Sequence, residues 1–115
     1  MRVLIVDDHE EFRESARALL EAEGLEVAGV AADAEEAVAE AVILAPDVVL
    51  LDVQLPGEDG FMAADRLAGL PHPPRVVMVS SRDARSYAAR LARSTAVGFL
   101  GKSELSAAAL TRLLT

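Results

Sequence analysis

Five side chains able to do chemistry stand just after short apolar runs. Asp7 and Asp8 end Val3-Leu4-Ile5-Val6, Asp52 ends Val48-Val49-Leu50-Leu51, and Ser80 ends Val76-Val77-Met78-Val79. Lys102 follows Val97-Gly98-Phe99-Leu100 after one glycine. Branched apolar runs this short, bounded by polar residues, read as strands buried on both faces, the habit of a parallel sheet. In an open parallel sheet the chemistry sits just beyond the carboxyl ends of the strands. Three carboxylates, a hydroxyl and an ammonium are therefore expected along one edge.

Carboxylates about 5 Å apart repel by roughly 3 kcal/mol per pair at an effective dielectric of about 20. Gathering Asp7, Asp8 and Asp52 gains a fold nothing unless a cation compensates. Oxygen ligands, with only His9 nearby, select a hard divalent ion, and few protein ligands favour Mg²⁺ (or Mn²⁺) with several waters retained. The competing reading, that Asp7 and Asp8 only cap the first helix, accounts for one aspartate of the pair and leaves Asp52 unexplained. Asp52 ends the most apolar strand, without a neighbouring base to make it a general acid or base. A carboxylate can also attack phosphorus and give an aspartyl phosphate, a step governed by charge neutralisation on the transferring group. A cation on Asp8 and Asp52, Lys102 on the opposite flank and the Ser80 hydroxyl supply that neutralisation. The parts fit phosphoryl transfer onto Asp52.

The rest of the composition narrows the setting. A chain of 115 residues has room for one domain and one core, and with only three Phe, one Tyr and no Trp that core is aliphatic. The apolar runs are too short to span a membrane, the amino terminus is no signal peptide, and there is no cysteine. A cytoplasmic protein is the expectation. A net charge of −8 argues against nucleic-acid contact by this chain. Ten of the eleven basic residues are arginine and one is Lys102, and a lone lysine among arginines points to a site that wants a compact ammonium.

Strand and helix signals alternate throughout, as βαβ units do. Strands are expected at about 3–7, 25–30, 48–51, 75–79 and 97–100. Helices are expected at about 10–23, 34–44, 61–70, 84–94 and 104–114. The first helix stops at Gly24, and the second starts from an Asp33 cap with Glu36 three residues on. The second helix is expected to bury a stripe of Ala34, Val38, Ala41 and Val42 and to end before Pro46. Right-handed crossovers and the switch-point rule give a flavodoxin-like, doubly wound α/β fold. Its five-stranded parallel sheet has the order 2-1-3-4-5 and five flanking helices. Phe61 and Met78 read as core, Pro56-Gly57 as a turn, and His9 and His72 as solvent-facing.

Taken together, Val6-Asp7-Asp8-His9, Pro46-Asp47-Val48-Val49-Leu50-Leu51-Asp52, Leu55-Pro56-Gly57-Glu58-Asp59-Gly60, Met78-Val79-Ser80-Ser81 and Gly98-Phe99-Leu100-Gly101-Lys102 resemble a response-regulator receiver domain of two-component signalling. The resemblance spans residues 1–115. Asp7-Asp8-His9, and Ser103 after Lys102, are similar to receivers of the LuxR/NarL class. The resemblance implies Asp52 as phosphoacceptor, supplied by the phosphohistidine of a sensor histidine kinase. It implies Mg²⁺ on Asp8, Asp52 and the backbone carbonyl of Gln54, with Asp7 acting through water. Lys102 pairs with the phosphoryl group, Ser80 moves toward it, and Phe99 rotates inward as the switch aromatic. Gln54 and Arg82 occupy the positions that tune hydrolysis. Phe99 stands in place of the commoner tyrosine, Thr95 in place of a glycine, and Gly101 in place of a bulkier residue, where it loosens the backbone that aims Lys102.

The implied output is a switch of the surface formed by the fourth helix, fifth strand and fifth helix. Such a chain controls transcription through a DNA-binding effector domain in a longer parent protein and is not itself an enzyme. Three other readings compete. A haloacid-dehalogenase-like phosphohydrolase needs an acid two residues after Asp52, where Gln54 stands. A nucleotide-binding domain needs a glycine-rich loop in place of Asp7-Asp8-His9. A degenerate receiver, acting as a binding module, does not need the complete acidic set. In the fifth helix Leu105, Ala109 and Leu113 form one stripe and Leu110 and Leu114 another, wider than one sheet covers. Self-association through this helix, with the first or fourth, is expected.

Overall fold

The apolar runs become the strands of one parallel sheet: β1 (Arg2–Val6), β2 (Glu26–Ala31), β3 (Val48–Asp52), β4 (Arg75–Ser80) and β5 (Gly98–Gly101). The computed structural model describes residues 1–115. The strand order is β2-β1-β3-β4-β5 with every pairing parallel. β1 and β3 therefore lie side by side, Val6 opposite Leu51, at the point where the connections diverge.

Helices α1 (Glu10–Ala22) and α5 (Ala107–Leu114) cover one face of the sheet. Helices α2 (Ala34–Leu44), α3 (Gly60–Ala68) and α4 (Ala88–Ala92) cover the other. Alternate strand residues feed the two cores. Val3, Ile5, Val48, Leu50, Val77 and Val79 face α1 and α5, while Leu4, Val6, Val49, Leu51, Val76 and Met78 face α2 and α3. All of these are essentially solvent-free, as a sheet covered on both sides requires.

Most expected boundaries hold, and the departures have local causes. α1 ends as expected, with Gly24 at φ +94°, a conformation that costs a glycine little. At α2 the Asp33 carboxylate accepts from the Glu36 amide at 2.9 Å, while the Glu36 carboxylate reaches back to the Ala32 amide at 3.1 Å. The buried stripe of α2 is Ala34, Ala37 and Ala41, and Val42 is 63% exposed beside an exposed Ile43. A 3.6-residue repeat anchored on Ala34 and Ala41 carries Val42 about 80° off the stripe, and Ala37 takes its place.

The fourth helix is shorter than expected. A 3-10 turn occupies Ala84–Tyr87 because Asp83 accepts the Arg85 amide at 2.7 Å, winding the chain tightly at the start. The fifth is also shorter, with a 3-10 turn at Lys102–Glu104 and Ser106 capping α5 through the Ala109 amide at 2.9 Å. The apolar excess expected on it is mostly used internally. Leu105 and Leu110 are buried, Leu113 and Leu114 are half-buried against the α1–α5 core, and α5 leaves no leucine exposed.

One glycine fixes how α3 meets the sheet. The Gly60 amide donates to the Val53 carbonyl at 2.8 Å, and a Cβ at Gly60 would lie 2.1 Å from the Asp52 carbonyl oxygen. No side-chain motion can relieve a clash with backbone. Gly101 is different: its φ of −66° is ordinary, and a Cβ there would meet only the Glu104 carboxylate end at 2.7 Å. Gly60→Ala is expected to destabilise the fold by about 3 kcal/mol or more. Gly101→Ala should be neutral or stabilising by about 0.5 kcal/mol. Urea unfolding of the two variants checks the contrast, and equal effects would contradict it.

Candidate functional site

Register carries the expected residues to one edge. Asp7 follows β1 with its amide on the Ala31 carbonyl at 3.0 Å. Asp52 ends β3 opposite Val79, and Ser80 ends β4 opposite Gly101, one residue before Lys102. Asp7, Asp52 and Ser80 are all at least 97% buried, whereas Asp8 is exposed at the rim.

Lys102 holds the centre. Its Nζ lies 2.6 Å from Asp7 Oδ2 and 3.4 Å from Asp52 Oδ2. The Phe12 ring lies 4.5 Å beneath the same ammonium, its apolar face adding a weaker attraction. The Asp7 carboxylate also accepts the His9 amide at 2.8 Å, and His9 Nδ1 sits 3.0 Å from Asp7 and 3.2 Å from Asp8. Arg13 donates to the Asp7 carbonyl at 2.8 Å. On the other side the Gln54 amide donates to Asp52 Oδ1 at 3.2 Å. The Arg82 amide donates to Ser80 Oγ at 3.0 Å, which leaves the hydroxyl proton free to give away.

These contacts separate the two buried acids. Burial opposes ionisation of Asp7, but Lys102 and the amide and ring of His9 outweigh it and hold this carboxyl below the usual range. Burial pushes the Asp52 carboxyl up to about 6, the Asp7 charge adds to the rise, and Lys102 and the Gln54 amide only partly oppose it. Burial also works against charge on Lys102, and its two carboxylate partners more than compensate, raising its pKa. Asp52 is the under-neutralised member of the cluster.

That imbalance fits a hard cation. Asp7, Asp8, His9 and Asp52 each bring a donor atom into a group spanning no more than 4.8 Å. Opposite ligands of an octahedral ion with bonds of about 2.1 Å stand about 4.2 Å apart, so a small contraction closes the set. Added positive charge there would offset the repulsion that raises Asp52.

The reading that Asp7 and Asp8 merely cap α1 fails, because His9 is the cap residue and neither aspartate's carboxylate accepts an amide of the helix. His9 does keep 69% of its side chain exposed, as expected, while pairing with both aspartates. Phe99 does not join the cluster. It is half-buried on the α3–α4 side, its ring centre 6.2 Å from that of Tyr87. Arg82 reaches the site only through its amide.

Sequence reasoning missed Arg13, the placement of the Phe12 ring, and Tyr87. Tyr87 is buried between Phe61 at 6.1 Å and Phe99, and its hydroxyl has no partner in the protein. Arg90 lies 4.4 Å over the Phe61 ring and pairs with Asp59 at 2.5 Å. The signal for Tyr87 was available: it is the single tyrosine, four residues before the half-buried Leu91.

The family model for the response regulator receiver domain matches residues 3–114. This chain belongs to that family. The receiver is 44% identical over 105 residues to a protein-glutamate methylesterase/protein-glutamine glutaminase of Anaeromyxobacter dehalogenans, covering 90% of the receiver and 30% of that protein. It is 38% identical over 103 residues to the response regulator GacA of Pseudomonas viridiflava, covering 89% and 48%. A two-component response regulator of the LuxR family from an Aurantimonas species superposes with a TM-score of 0.86 at 30% identity, over 98% of the receiver and 84% of that chain. The receiver spans half or less of the length of these curated relatives. Proteins named as transcription regulators are prominent among the curated relatives.

The Asp52 shift sets a pH dependence. Because the folded chain holds this proton more tightly than the unfolded one, its contribution to stability is present below the unfolded value of 3.8 and is lost as pH rises through about 6. The gap corresponds to about 3 kcal/mol. Asp52→Asn should match the native chain near pH 4 and exceed its stability by about 2–3 kcal/mol above pH 7 in the absence of divalent ions. Urea titrations across that range read the difference, and a gap that stays flat or narrows contradicts the assignment. Tyr87→Phe, which removes a buried hydroxyl with no protein partner, should leave stability unchanged or raise it by about 1 kcal/mol.

Proposed function

We propose that the receiver takes a phosphoryl group onto Asp52 from the phosphohistidine of a sensor histidine kinase, in a reaction requiring Mg²⁺ or Mn²⁺. The observation that carries this reading is the buried Asp52 carboxylate, 3.4 Å from the Lys102 ammonium and inside a group of oxygen donors. When bound, the metal supplies charge neutralisation on the transferring group and lowers the proton affinity of Asp52. Asp8, Asp52 and the Gln54 carbonyl are its proposed direct ligands, with Asp7 acting through water.

An Asp52 oxygen forms the bond to phosphorus as the bond from phosphorus to the donor imidazole breaks, and the product is a mixed anhydride. Above pH 6 Asp52 is mostly ionised and ready to attack. Lys102, already aimed between Asp7 and Asp52, pairs with a phosphoryl oxygen. Ser80 donates its free hydroxyl proton to another, and the β4–α4 loop follows it. Phe99 and Tyr87 repack, and the α4–β5–α5 surface changes its preference among partners. Gln54 and Arg82 flank the phosphoryl group and tune its hydrolysis.

In a longer parent protein the proposed output is transcriptional control through a DNA-binding effector domain, with the receiver making no nucleic-acid contact of its own. Catalysis by the receiver is limited to its own phosphorylation and dephosphorylation. Its proposed setting is the cytoplasm, and no helix is long and apolar enough to cross a membrane. Self-association through α5 with α1 or α4 draws little support, since the α5 leucines pack inward.

Intact mass after incubation with acetyl phosphate and Mg²⁺ tests the reading. One added phosphoryl group is expected, absent in Asp52→Ala and absent in EDTA. An unmodified native chain, with phosphoramidate as well, would leave the site a binding module only.

A further inference from the structure

The three helices on the α2–α3–α4 face carry an uneven charge. From Asp33 to Leu44 the chain has Asp33, Glu35, Glu36 and Glu40 and no basic residue. From Arg82 to Arg93 it has Arg82, Arg85, Arg90 and Arg93 against Asp83 alone, in a protein of net charge −8. Glu35 and Glu36 are exposed on α2, and all four arginines are exposed along the segment leading into and through α4. Local ion pairs use part of this charge without removing the polarity. Arg66 ties Glu35 to Glu58, Asp59 ties Arg90 and Asp83 ties Arg85, which leaves Glu36, Glu40, Arg82 and Arg93 outside these pairs.

Between the charged edges the exposed surface is apolar or small apart from Asp65 on α3. Met62 on α3 is 56% exposed, and Val42 and Ile43 on α2 are 63% and 74% exposed, three of the six large apolar side chains the molecule leaves in water. Ala39 on α2, Ala68 on α3 and Ala88, Ala89 and Ala92 on α4 are also exposed. Alanines let a second backbone come close. α3 separates the acidic edge from the basic one, packing on α2 on one side and reaching α4 through Asp59 and Phe61.

We propose that this face pairs two copies of the chain about a two-fold axis running along α3, so that the acidic α2 of each copy lies on the basic α4 of the other. Such an interface is self-complementary, as a two-fold requires: the acidic edge meets the basic edge twice, and Met62 meets its symmetry mate at the centre. The face satisfies its own charge requirement, which selects a second copy over an unrelated partner. The pairing involves neither the Asp52 cluster nor α5, and it shares α4 and Arg82 with the switching surface proposed above.

Sedimentation velocity of the native chain at about 20 mM and about 0.5 M salt reads the association, because charge complementarity is screened at the higher value. A dimer at low salt that weakens about tenfold or more at high salt is expected. Arg85→Glu with Arg93→Glu, and separately Glu35→Lys with Ala39→Lys, should each give a monomer with unchanged circular dichroism. An equimolar mixture of the two variants should dimerise again, since both mixed contacts then pair opposite charges. A native chain monomeric in both salts, a dimer that survives either reversal, or a mixture that stays monomeric would overturn the proposal.

Discussion

The ammonium of Lys102, held between two buried carboxylates, is the interaction on which the rest of the molecule depends. Without it Asp7 and Asp52 would be two like charges in a nearly water-free pocket, and their repulsion would oppose the adjacency of β1 and β3. That adjacency is the centre of the sheet. One ammonium cannot neutralise two carboxylates, and the geometry distributes it unequally. It sits 2.6 Å from Asp7 and 3.4 Å from Asp52. Asp7 therefore ionises easily and Asp52 with difficulty, and the residue left short of positive charge is the one proposed to react.

The neighbours of this pair serve the same balance. Phe12 offers the ammonium a ring face, His9 closes over the outer oxygens of Asp7 and Asp8, and Arg13 fixes the Asp7 backbone. None of these is needed for a helix to cover a sheet, which Ala16 and Leu20 do from the same helix. The first turn of α1 is thus part of the site and the rest of it is part of the core. A similar division runs along β5, where Leu100 packs toward α5 and Phe99 toward Tyr87.

Strand positions and the acidic cluster were legible in the sequence because both depend on residue type at strand ends. Four-residue apolar runs followed by Asp or Ser leave few alternatives, and right-handed crossovers then fix their order. What was not legible depended on angles and on competition between caps. Apolar character alone puts Val42 on the α2 stripe, although helical phase turns it to solvent. The starts of α4 and α5 depart from the apolar pattern because Asp83 and Ser106 cap more tightly, or later, than that pattern indicates. The part played by Phe12 and Arg13 was hidden because an aromatic or arginine in a first turn has many ordinary reasons to be there. Gly101 looked like a weak point beside Lys102, yet its backbone is ordinary. The irreplaceable glycine is Gly60, whose need appears only once α3 is seen against the Asp52 carbonyl.

That close approach divides the receiver mechanically. Where Gly60 rests on the Asp52 peptide there is no soft layer of side chains to absorb a shift, so strand end and helix start behave as one stiff body. The opposite flank is compliant, since α4 is held by one tyrosine ring, a half-buried leucine and the Arg90–Asp59 pair. A displacement generated at the carboxyl edge therefore has an easy direction of travel, away from α3 and into α4. A switch working from this edge would need no dedicated hinge to reach α4; the contrast in stiffness across one edge of the sheet would supply the direction.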